Sequence, residues 1–393
     1  MGDGKILFQV CDRKVIGGGK GGRLLRSIAS WKTMSDEKSK PDADWLIYGA
    51  NGYTGSMIAE EAVRRGHRPR LSGRNRDAVT ALAARLKTPA SPCDLHDPRA
   101  LRAAIAGCRV VIHCAGPFSE TSRAMVDACL AEGVHYLDIT GEIDVFAACH
   151  ARSAEAEGRG ICMVPGVGFD VVPTDCVAAL LKEAMPDATS LVLAFEAGGG
   201  LSVGTAKTSV AGLGKGGRVR RGGALIDVPP AFKTRTFLRG GKPRSAMTVP
   251  WGDVFTAYIT TGIPDIEVYM SASPASIASA RRLKWVRPLL RFGAVTRFLQ
   301  RRIAASLRPP SPETRAKTNA YVWGEAAAKD GRTAKIEIET PNGYDLTITA
   351  ALGVVERLVG PAKGTRSGYL TPSQLMGARY VLGLPGVSAK AGL

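Results

Sequence analysis

The apolar and polar positions from residue 45 onward alternate in a way that predicts strands and helices in turn. Short apolar runs predict strands at 45–48, 69–72, 110–115, 135–140 and 161–164, with another short strand ending at Cys93-Asp94. Between them, apolar residues recur at helical spacing. This alternation is typical of a parallel, doubly wound sheet with helices on both faces, the Rossmann arrangement.

The pattern changes after about residue 187, where strands follow one another between Gly and Pro turns. The predicted strands cover residues 190–196, 224–228, 234–238, 266–271, 318–328, 333–340 and 345–352. Such a run predicts a second, α+β domain with a mostly antiparallel sheet. Thr371-Pro372-Ser373 then predicts the start of a last helix, which would end at about residue 382.

These patterns divide the chain into four parts. We expect a disordered N-terminal extension over residues 1–43, a Rossmann domain over 44–187, an α+β substrate or interaction domain over 188–360, and a C-terminal segment over 361–393. The extension is rich in Gly and polar residues, and Met34 begins a second plausible protein start. Our hypothesis is that residues 1–33 are dispensable or precede the true start, which N-terminal sequencing of the native protein would test.

The loop after the first predicted strand carries three glycines at fixed spacing. It comprises Gly49, Ala50, Asn51, Gly52, Tyr53, Thr54 and Gly55. Glycines at such positions allow a tight turn, close approach of the backbone to pyrophosphate, and close packing of the following helix. The exposed N–H groups of that helix would then hold the phosphates. Because a strand precedes the loop and an amphipathic helix follows it, we predict a dinucleotide site.

The end of the second predicted strand indicates which dinucleotide binds. NAD-binding domains place an acid there for the ribose hydroxyls, whereas this chain has Arg74 and Asn75 followed by Arg76. A guanidinium pairs with the extra phosphate of NADP, so we predict NADP, with Arg74 as the main contact and Asn75 and Arg76 assisting. The alternative is a pair of solvated arginines. Asp94 is placed to meet the adenine edge or to cap a helix.

Several side chains should gather at the carboxyl ends of the later strands, where α/β folds bind ligands. Ala115, Gly116, Pro117 and Phe118 would pass beside the nicotinamide, with Phe118 shaping the ring pocket. The candidate catalytic residues are carboxylates that follow the next two strands: Asp138, Glu142 and Asp170. Asp175 and Tyr53 are further candidate proton donors, and the alternative for Asp138 and Glu142 is helix capping or salt bridging. Thr205 and Lys207 either line the substrate side or form a hairpin turn.

Composition narrows the class of protein. The chain has 393 residues, 45% of them hydrophobic and 22% charged, which is typical of a globular protein. It contains no uninterrupted apolar run of about 18 residues and no secretory signal at its start, so we expect a cytoplasmic protein. The eight cysteines form no CxxC pair, and all five histidines lie in the first half. We therefore expect buried free thiols and no metal site.

The net charge of +18 is concentrated in one segment. Residues 281–308 contain nine basic side chains and no acid: Arg281, Arg282, Lys284, Arg287, Arg291, Arg297, Arg301, Arg302 and Arg308. Pro288 predicts a helix start near that residue, with Leu289, Phe292, Leu299 and Ile303 on one face. A helix with one apolar and one basic face is typical of binding to an anionic membrane surface; the alternative is packing on its own domain. No nucleic-acid-binding module is present.

The motifs together resemble the saccharopine dehydrogenase-like oxidoreductase family. The matching stretches are residues 49–55, 73–75, 115–118, 136–142, 168–175, 204–206, 261–264 and 267–269. The resemblance covers about residues 44–385 and implies a Rossmann domain, an inserted α/β substrate domain and a C-terminal segment that returns to the first domain. It is closer to the trans-acting enoyl reductases of lipid assembly than to true saccharopine dehydrogenases, through residues 204–206 and 261–264.

Three functions follow from this resemblance and the residues. The leading hypothesis is an NADPH-dependent reductase of a C=C bond in a lipid-like or acyl substrate. The alternatives are an amino-acid-type dehydrogenase acting on a C=N bond, and a non-catalytic protein that senses NADP(H). Hydride transfer needs orientation, a proton donor and exclusion of water, so the proton donor is the residue to identify.

Overall fold

The computed structural model describes residues 9–11, 44–198, 200, 216–290, 293–306, 309–360 and 366–390. Strand β1 (Gln9–Cys11) pairs antiparallel with residues 333–335. The rest of the predicted extension, together with Thr205 and Lys207, lies outside these ranges.

The first sheet is parallel, and six of its strands lie in the part of the chain that the structure describes. They are β2 (Trp45–Tyr48), β3 (Arg70–Ser72), β4 (Val110–His113), β5 (His135–Asp138), β6 (Cys162–Val164) and β15 (Gly368–Tyr369). Their order is β15-β6-β5-β4-β2-β3, with parallel pairing throughout. The predicted Rossmann sheet is thereby confirmed, and β15 brings the C-terminal segment to its edge.

The strand that was expected to end at Cys93-Asp94 does not form. Only Ala90 makes a parallel bridge, to Leu71 of β3. The Ser91 N–H donates to the Leu71 carbonyl, but the Ser91 carbonyl accepts the Ser72 hydroxyl, at 2.7 Å, rather than a backbone N–H of the ladder. The segment therefore runs along β3 as a single bridge rather than as a strand.

Helices connect the strands of the first sheet and cover both of its faces. They are α1 (Tyr53–Arg64), α2 (Arg76–Leu86), α3 (Pro98–Ile105), α4 (Phe118–Glu132), α5 (Ile143–Ala151), α6 (Ser153–Gly158) and α7 (Val172–Ala184). Successive side chains of a strand point to opposite faces. Trp45 and Ile47 accordingly share a buried cluster with Ile58 of α1, whereas Leu46 packs in the cluster that holds Leu101 of α3.

Within the described residues the second sheet has ten strands and is mostly antiparallel, as predicted. Besides β1 it contains β7 (Ser190–Glu196), β8 (Gly217–Arg221), β9 (Ala224–Val228), β10 (Thr234–Arg239), β11 (Lys242–Thr248), β12 (Asp265–Ser271), β13 (Asn319–Ala327), β14 (Thr333–Pro341) and β16 (Ser388–Lys390). Its main order is β1-β14-β13-β7-β12-β11-β10, and β7 and β12 are the parallel pair. Helix α7 packs against β13, where a Cβ on Gly324 would come within 2.4 Å of Val177.

Helices in the second half are α8 (Asp253–Thr261), α9 (Pro274–Leu290), α10 (Gly293–Ser306), α11 (Pro312–Ala316), α12 (Gly343–Val359) and α13 (Pro372–Met376). The strand expected over residues 345–352 was wrong, because these residues belong to α12. Asn342 caps this helix by accepting a hydrogen bond from the Tyr344 N–H, and Leu346, Ala350 and Leu358 continue a buried face at helical spacing. The alternating Thr and Ile residues inside it resemble a strand only locally.

Two other predicted helix boundaries were wrong. The helix expected to start near Pro288 begins at Pro274, where the Ser273 hydroxyl accepts a hydrogen bond from the Ser276 N–H. The helix expected to continue to residue 382 ends at Met376, because Gly377 has φ of +89°, and a 3₁₀ turn follows over Tyr380–Gly383.

Helix α12 packs its apolar face on the first sheet beside α1. Ala351, Leu352 and Val355 are buried in the same cluster as Trp45 and Ile47. The two sheets are therefore joined by shared core, and α12 brings its N-terminal turn close to the glycine loop.

Candidate functional site

The loop after β2 is built for close backbone contacts. Gly49 has φ of +79°, and both its N–H and that of Ala50 donate to the Ser72 carbonyl, at 2.9 and 3.0 Å. A Cβ on Gly55 would lie 2.3 Å from the Gly49 oxygen, and one on Gly49 would lie 2.9 Å from the Ala115 nitrogen. Only glycine fits these two positions, so the loop is held tightly against β3 and the β4 loop.

Helix α1 begins at Tyr53 with no side-chain cap and no acid in its first turn. Its first N–H groups therefore have no side chain to satisfy them, which suits a phosphate. Strand β2 lies between β3 and β4, so the chain changes direction across the sheet at this point. Ligands bind at such a switch point in doubly wound sheets, and these residues fit the pyrophosphate of a dinucleotide.

Arg74 lies two residues beyond β3 and is exposed. Among the described residues it makes no hydrogen bond or ion pair. Asn75, by contrast, caps α2 by accepting a hydrogen bond from the Ala78 N–H at 3.1 Å. Arg74 is thus placed to meet a phosphate, while Asn75 fixes the helix behind it.

Asp94 accepts a hydrogen bond from the His96 N–H, at 2.9 Å, within a turn. Asp94 does not cap α3. Asp97 caps this helix by accepting hydrogen bonds from the Arg99 and Ala100 N–H groups. Asp94 remains close to the carboxyl end of β3, because the neighbouring Cys93 N–H donates to the Gly73 carbonyl at 3.2 Å.

The stretch from Ala115 to Phe118 follows β4 and contains a cis Gly116-Pro117 peptide. Ala115 touches the glycine loop, and Gly116 is exposed. Phe118 is buried, with its ring edge-on to His113 at 5.4 Å. The Phe118 ring therefore packs between His113 of β4 and the Gly116 backbone. Burial lowers the pKa of His113 to about 3, so this imidazole is neutral near pH 7.

Glu142 caps α4 across the crevice. Its two carboxylate oxygens accept hydrogen bonds from the Phe118 N–H at 2.7 Å and the Ser119 N–H at 3.1 Å. An acid at a helix N-terminus is stabilised by the helix dipole. The geometry therefore supports helix capping, the alternative role for Glu142. The Glu142 carboxylate also lies close enough to Asp170 to act on its carboxyl electrostatically.

Asp138 is fully buried at the end of β5. Its carboxylate accepts hydrogen bonds from the Tyr136 hydroxyl at 2.6 Å, the Thr140 N–H at 3.0 Å and the Gly166 N–H at 2.8 Å. Burial raises its pKa to about 6 against the effect of these bonds. The carboxylate joins the loops after β5 and β6, so its geometry supports a structural role.

Asp170 has a different environment. Its side chain is partly buried, and among the described residues no hydrogen bond reaches its carboxylate. A Cβ on Gly141 would lie 2.9 Å from its Oδ2 atom, so the absence of a side chain at Gly141 makes room for the acid. Burial, and then the charge of Glu142, raise the pKa of Asp170 to about 7. Asp138 also has a pKa near neutral, but Asp170 is the candidate whose carboxyl is partly exposed and has no hydrogen bond within the described residues.

Three aromatic side chains pack together next to Asp170. The Trp251 indole N–H donates to the Asp170 carbonyl at 2.7 Å, and the Trp251 ring packs on Phe195 with centroids 4.7 Å apart. Phe195 in turn contacts Phe169 edge-on. Phe195 and Phe169 are buried, so Trp251 is the one of these three rings that is partly exposed.

The two further candidate donors are engaged elsewhere. Asp175 is fully buried, and its carboxylate accepts hydrogen bonds from the Thr260 hydroxyl and from the Ser373 N–H at the start of α13. The Tyr53 hydroxyl donates to the Pro310 carbonyl at 2.6 Å and accepts from Arg315 at 3.0 Å. Asp175 therefore anchors the C-terminal segment, and Tyr53 joins the glycine loop to the second half of the chain.

Sequence reasoning missed Trp251, Asp253 and Arg315. Trp251 lies in a turn without a recognisable motif, Asp253 is the first residue of α8, and Arg315 lies more than 250 residues from the loop that it contacts. The one available signal was the acid Asp253 beside an apolar helical run. Asp253 is fully buried, and neither of its carboxylate oxygens has a hydrogen-bond partner among the described residues.

This burial leads to a prediction for stability. It raises the pKa of Asp253 well above its ordinary value, so the folded protein holds a proton that the unfolded chain releases near pH 4. The free energy of unfolding should therefore fall as pH rises above that value, by up to about 1.4 kcal/mol per pH unit. Asp253→Asn cannot ionise and should gain stability relative to the parent from pH 5 upward.

Urea unfolding of both proteins between pH 5 and 9 measures this difference. Asp330→Asn, at an exposed position, is the matched control. The difference in its free energy of unfolding from the parent should not increase as pH rises. A stability difference between Asp253→Asn and the parent that stays constant with pH would contradict the prediction.

The described ranges contain neither a metal-ligand cluster nor a membrane-spanning helix. In that part of the chain no group of His, Cys, Asp or Glu side chains is arranged to hold a metal ion. No described helix is long and apolar enough to cross a bilayer. The cysteines of this part, from Cys93 to Cys176, are unpaired and mostly buried.

Residues 45–161 match the family model of the saccharopine dehydrogenase NADP-binding domain. A mitochondrial saccharopine dehydrogenase-like oxidoreductase of Arabidopsis thaliana, so named, is 32% identical over 156 residues, which cover 35% of this chain and 34% of that protein. A protein of Mycobacterium tuberculosis named a trans-acting enoyl reductase is 32% identical over 184 residues, covering 41% and 42%. The matched stretches thus span less than half of these relatives.

A solved structure shows the same fold over most of the chain. Saccharopine dehydrogenase (L-Glu forming) from Saccharomyces cerevisiae, in its apo form, superposes with a TM-score of 0.59 at 12% identity, covering 88% of this chain and 99% of that one. The predicted resemblance and the predicted cofactor are confirmed by the family match. Residues 45–161 are an NADP-binding domain of the saccharopine dehydrogenase type.

Proposed function

We propose that this chain is an NADPH-dependent oxidoreductase that reduces a C=C bond of a lipid-like or acyl substrate. The observation that carries the proposal is Asp170, a carboxyl without a hydrogen-bond partner in the described structure and with a pKa of about 7. It follows β6 at the carboxyl edge of a sheet that carries an NADP-binding loop. A reductase needs such a proton donor beside its cofactor.

The proposed reaction divides between cofactor and protein. Bound NADPH supplies a hydride to one carbon of the double bond. Asp170 gives its proton to the other carbon and recovers a proton from solvent, which leaves NADP⁺ and a saturated product. Asp138 and Glu142 act indirectly in this scheme, because their hydrogen bonds fix the loops after β5, β6 and β4 on which the reacting groups lie.

The surroundings of Asp170 favour an apolar substrate over an amino acid. An amino-acid substrate needs a fixed cation for its carboxylate, whereas the partly exposed aromatic side chain next to Asp170 is Trp251. The similarity to the M. tuberculosis protein named an enoyl reductase agrees with this choice. An amino-acid-type reaction at a C=N bond is the second candidate, because the Arabidopsis relative and the yeast structure are named for saccharopine dehydrogenase.

A substrate panel separates the three functions. NADPH oxidation is followed with enoyl thioesters of several chain lengths, and with 2-oxo acids mixed with lysine. We expect turnover of enoyl thioesters that improves with chain length. Turnover of the imine mixture alone would establish the amino-acid reaction. Tight NADPH binding with no turnover of either class would favour the NADP(H) sensor.

We also propose that the basic segment, residues 281–308, rests on an anionic membrane surface. On α10 the side chain of Phe298 is 58% exposed, and Arg297, Arg301 and Arg302 around it are exposed as well. An exposed aromatic ring among arginines suits a lipid headgroup region. Leu299 is partly buried, and the side chains of Leu289, Phe292 and Ile303 lie outside the described residues.

Co-sedimentation with vesicles tests this surface. The parent protein should bind vesicles that contain acidic phospholipid and not neutral ones, and the binding should weaken with salt. Phe298→Ser combined with Arg297→Gln and Arg301→Gln should lower recovery severalfold. A control with Arg123→Gln and Arg332→Gln removes two charges elsewhere. Equal recovery of the two variants would count against the proposal.

A further inference from the structure

We propose that Arg315 is a cofactor-binding residue that reaches the phosphate loop from the second half of the chain. The proposal extends the NADP site and does not depend on the identity of the substrate. Arg315 lies on α11, which follows the basic segment, and its position against Tyr53 carries the argument.

Tyr53 is the first residue of α1, whose N–H groups face the dinucleotide phosphates in this fold. Its hydroxyl donates to the Pro310 carbonyl at 2.6 Å and accepts from Nη1 of Arg315 at 3.0 Å. The Tyr344 ring packs edge-on against the Tyr53 ring, with centroids 5.0 Å apart. Segments at 310–315 and 344–345 are therefore fixed against the phosphate loop.

The guanidinium of Arg315 is held in a defined orientation. Its Nε atom donates to Oδ1 of Asp345 at 3.0 Å, and its side chain is only 16% exposed. The guanidinium carbon lies 5.9 Å from the centre of the Tyr53 ring. Its remaining nitrogen, Nη2, donates to no group among the described residues, so one fork of the guanidinium is open to a ligand.

Electrostatics explains why an anion belongs beside this arginine. The N-terminus of α1 carries positive partial charge and has no acid in its first turn. The largely buried Arg315 side chain next to it forms its one ion pair within the described residues with Asp345, which is itself more than one-third exposed, and Glu313 acts on it without a hydrogen bond. The phosphate groups of the dinucleotide would supply the missing negative charge, and a guanidinium pairs with phosphate through two N–H groups.

The two arginines then bind different parts of the cofactor. Arg74, beyond β3, meets the 2′-phosphate of NADP, whereas Arg315, beside Tyr53, meets the pyrophosphate. Ligands that contain only one of these groups distinguish the two residues. NADH contains the pyrophosphate without the 2′-phosphate, and adenosine 2′-monophosphate contains the 2′-phosphate without the pyrophosphate.

The experiment measures the dissociation constants of NADPH and NADH by fluorescence, and that of adenosine 2′-monophosphate by competition. Arg315→Gln should weaken NADPH and NADH by about 10- to 100-fold, the range for a lost charge-assisted hydrogen bond, and leave adenosine 2′-monophosphate unchanged. Arg74→Gln should weaken NADPH and adenosine 2′-monophosphate and leave NADH unchanged. Arg332→Gln, at an exposed ion pair in the second sheet, is the control and should change none of the three.

Two further variants keep the test decisive if Arg315→Gln folds poorly. Arg315→Lys keeps the charge but loses the fork, and Tyr53→Phe keeps the ring but loses the hydroxyl. Both should weaken NADPH and NADH by smaller factors than Arg315→Gln. Unchanged NADPH and NADH affinity in these variants would overturn the proposal. An equal loss for all three ligands, with a lower melting temperature, would also overturn it, because Arg315 would then only support the fold.

Discussion

Replacing Asp170 by Asn is expected to lower kcat for reduction by about 10²- to 10⁴-fold, the usual contribution of a general acid. Asparagine has nearly the same shape but has no acidic proton to transfer. The dissociation constant of NADPH should stay the same, because the carboxyl lies after β6, away from the glycine loop. A loss confined to kcat would place Asp170 in the chemical step.

The pH profile gives a second measurement on the same pair of proteins. Burial and the charge of Glu142 raise the pKa of Asp170 to about 7, and the proposed donor acts in its protonated form. The parent's kcat should thus be flat below pH 7 and fall about tenfold per pH unit above it, whereas the residual kcat of Asp170→Asn should lack this step. Asp330→Asn serves as an exposed control. A variant with the parent's kcat and pH profile would show that Asp170 is not the donor.

The parts of the site that depend on local sequence were predictable. The glycine loop is specified by residue types at short spacing, because Gly49 needs positive φ and Gly55 leaves no room for a Cβ. Strand-helix alternation likewise determined the first sheet. Arg74 could be named as a candidate because cofactor choice is decided at one position after a strand, and its role in binding NADP stays a prediction.

The roles of the carboxylates depended on partners that are distant along the chain. Asp138 and Glu142 were grouped with Asp170 because all three follow strands. Glu142 is engaged by N–H groups 23 and 24 residues away, and Asp138 by one 28 residues away. These distant contacts decide which of the three acids has a carboxyl without a hydrogen-bond partner. A local sequence pattern carries no information about such contacts.

Contacts that are distant along the chain also explain why residues 345–352 were wrongly predicted to form a strand. Its Thr and Ile residues alternate as in a strand, and β-branched residues favour strands. The helix forms because Asn342 caps its start and because a long apolar face packs on the first sheet. Tertiary burial thus outweighs local propensity, and it brings Tyr344 and Asp345 to the phosphate loop.

Replacing Gly55 by Ala should abolish most NADPH binding. The added methyl carbon would lie 2.3 Å from the Gly49 oxygen and 3.1 Å from the Ala50 Cα, and both are backbone atoms that cannot move aside as a side chain can. Helix α1 or the loop must shift, and the N–H groups that hold phosphate shift with it. We expect a loss of NADPH affinity of more than about 100-fold, together with a stability loss of about 1–3 kcal/mol from overpacking.

Gly158→Ala is the matched control for this substitution. Gly158 lies in α6 with nothing within 4 Å of a Cβ, so alanine should leave NADPH affinity unchanged and stability equal or slightly higher. Fluorescence titration with NADPH and thermal unfolding of both variants measure the two effects separately. If Gly55→Ala bound NADPH as the parent does, the loop would have to relax without moving its N–H groups. The tight contact between Gly49 and Gly55 would then be unnecessary for holding the phosphates.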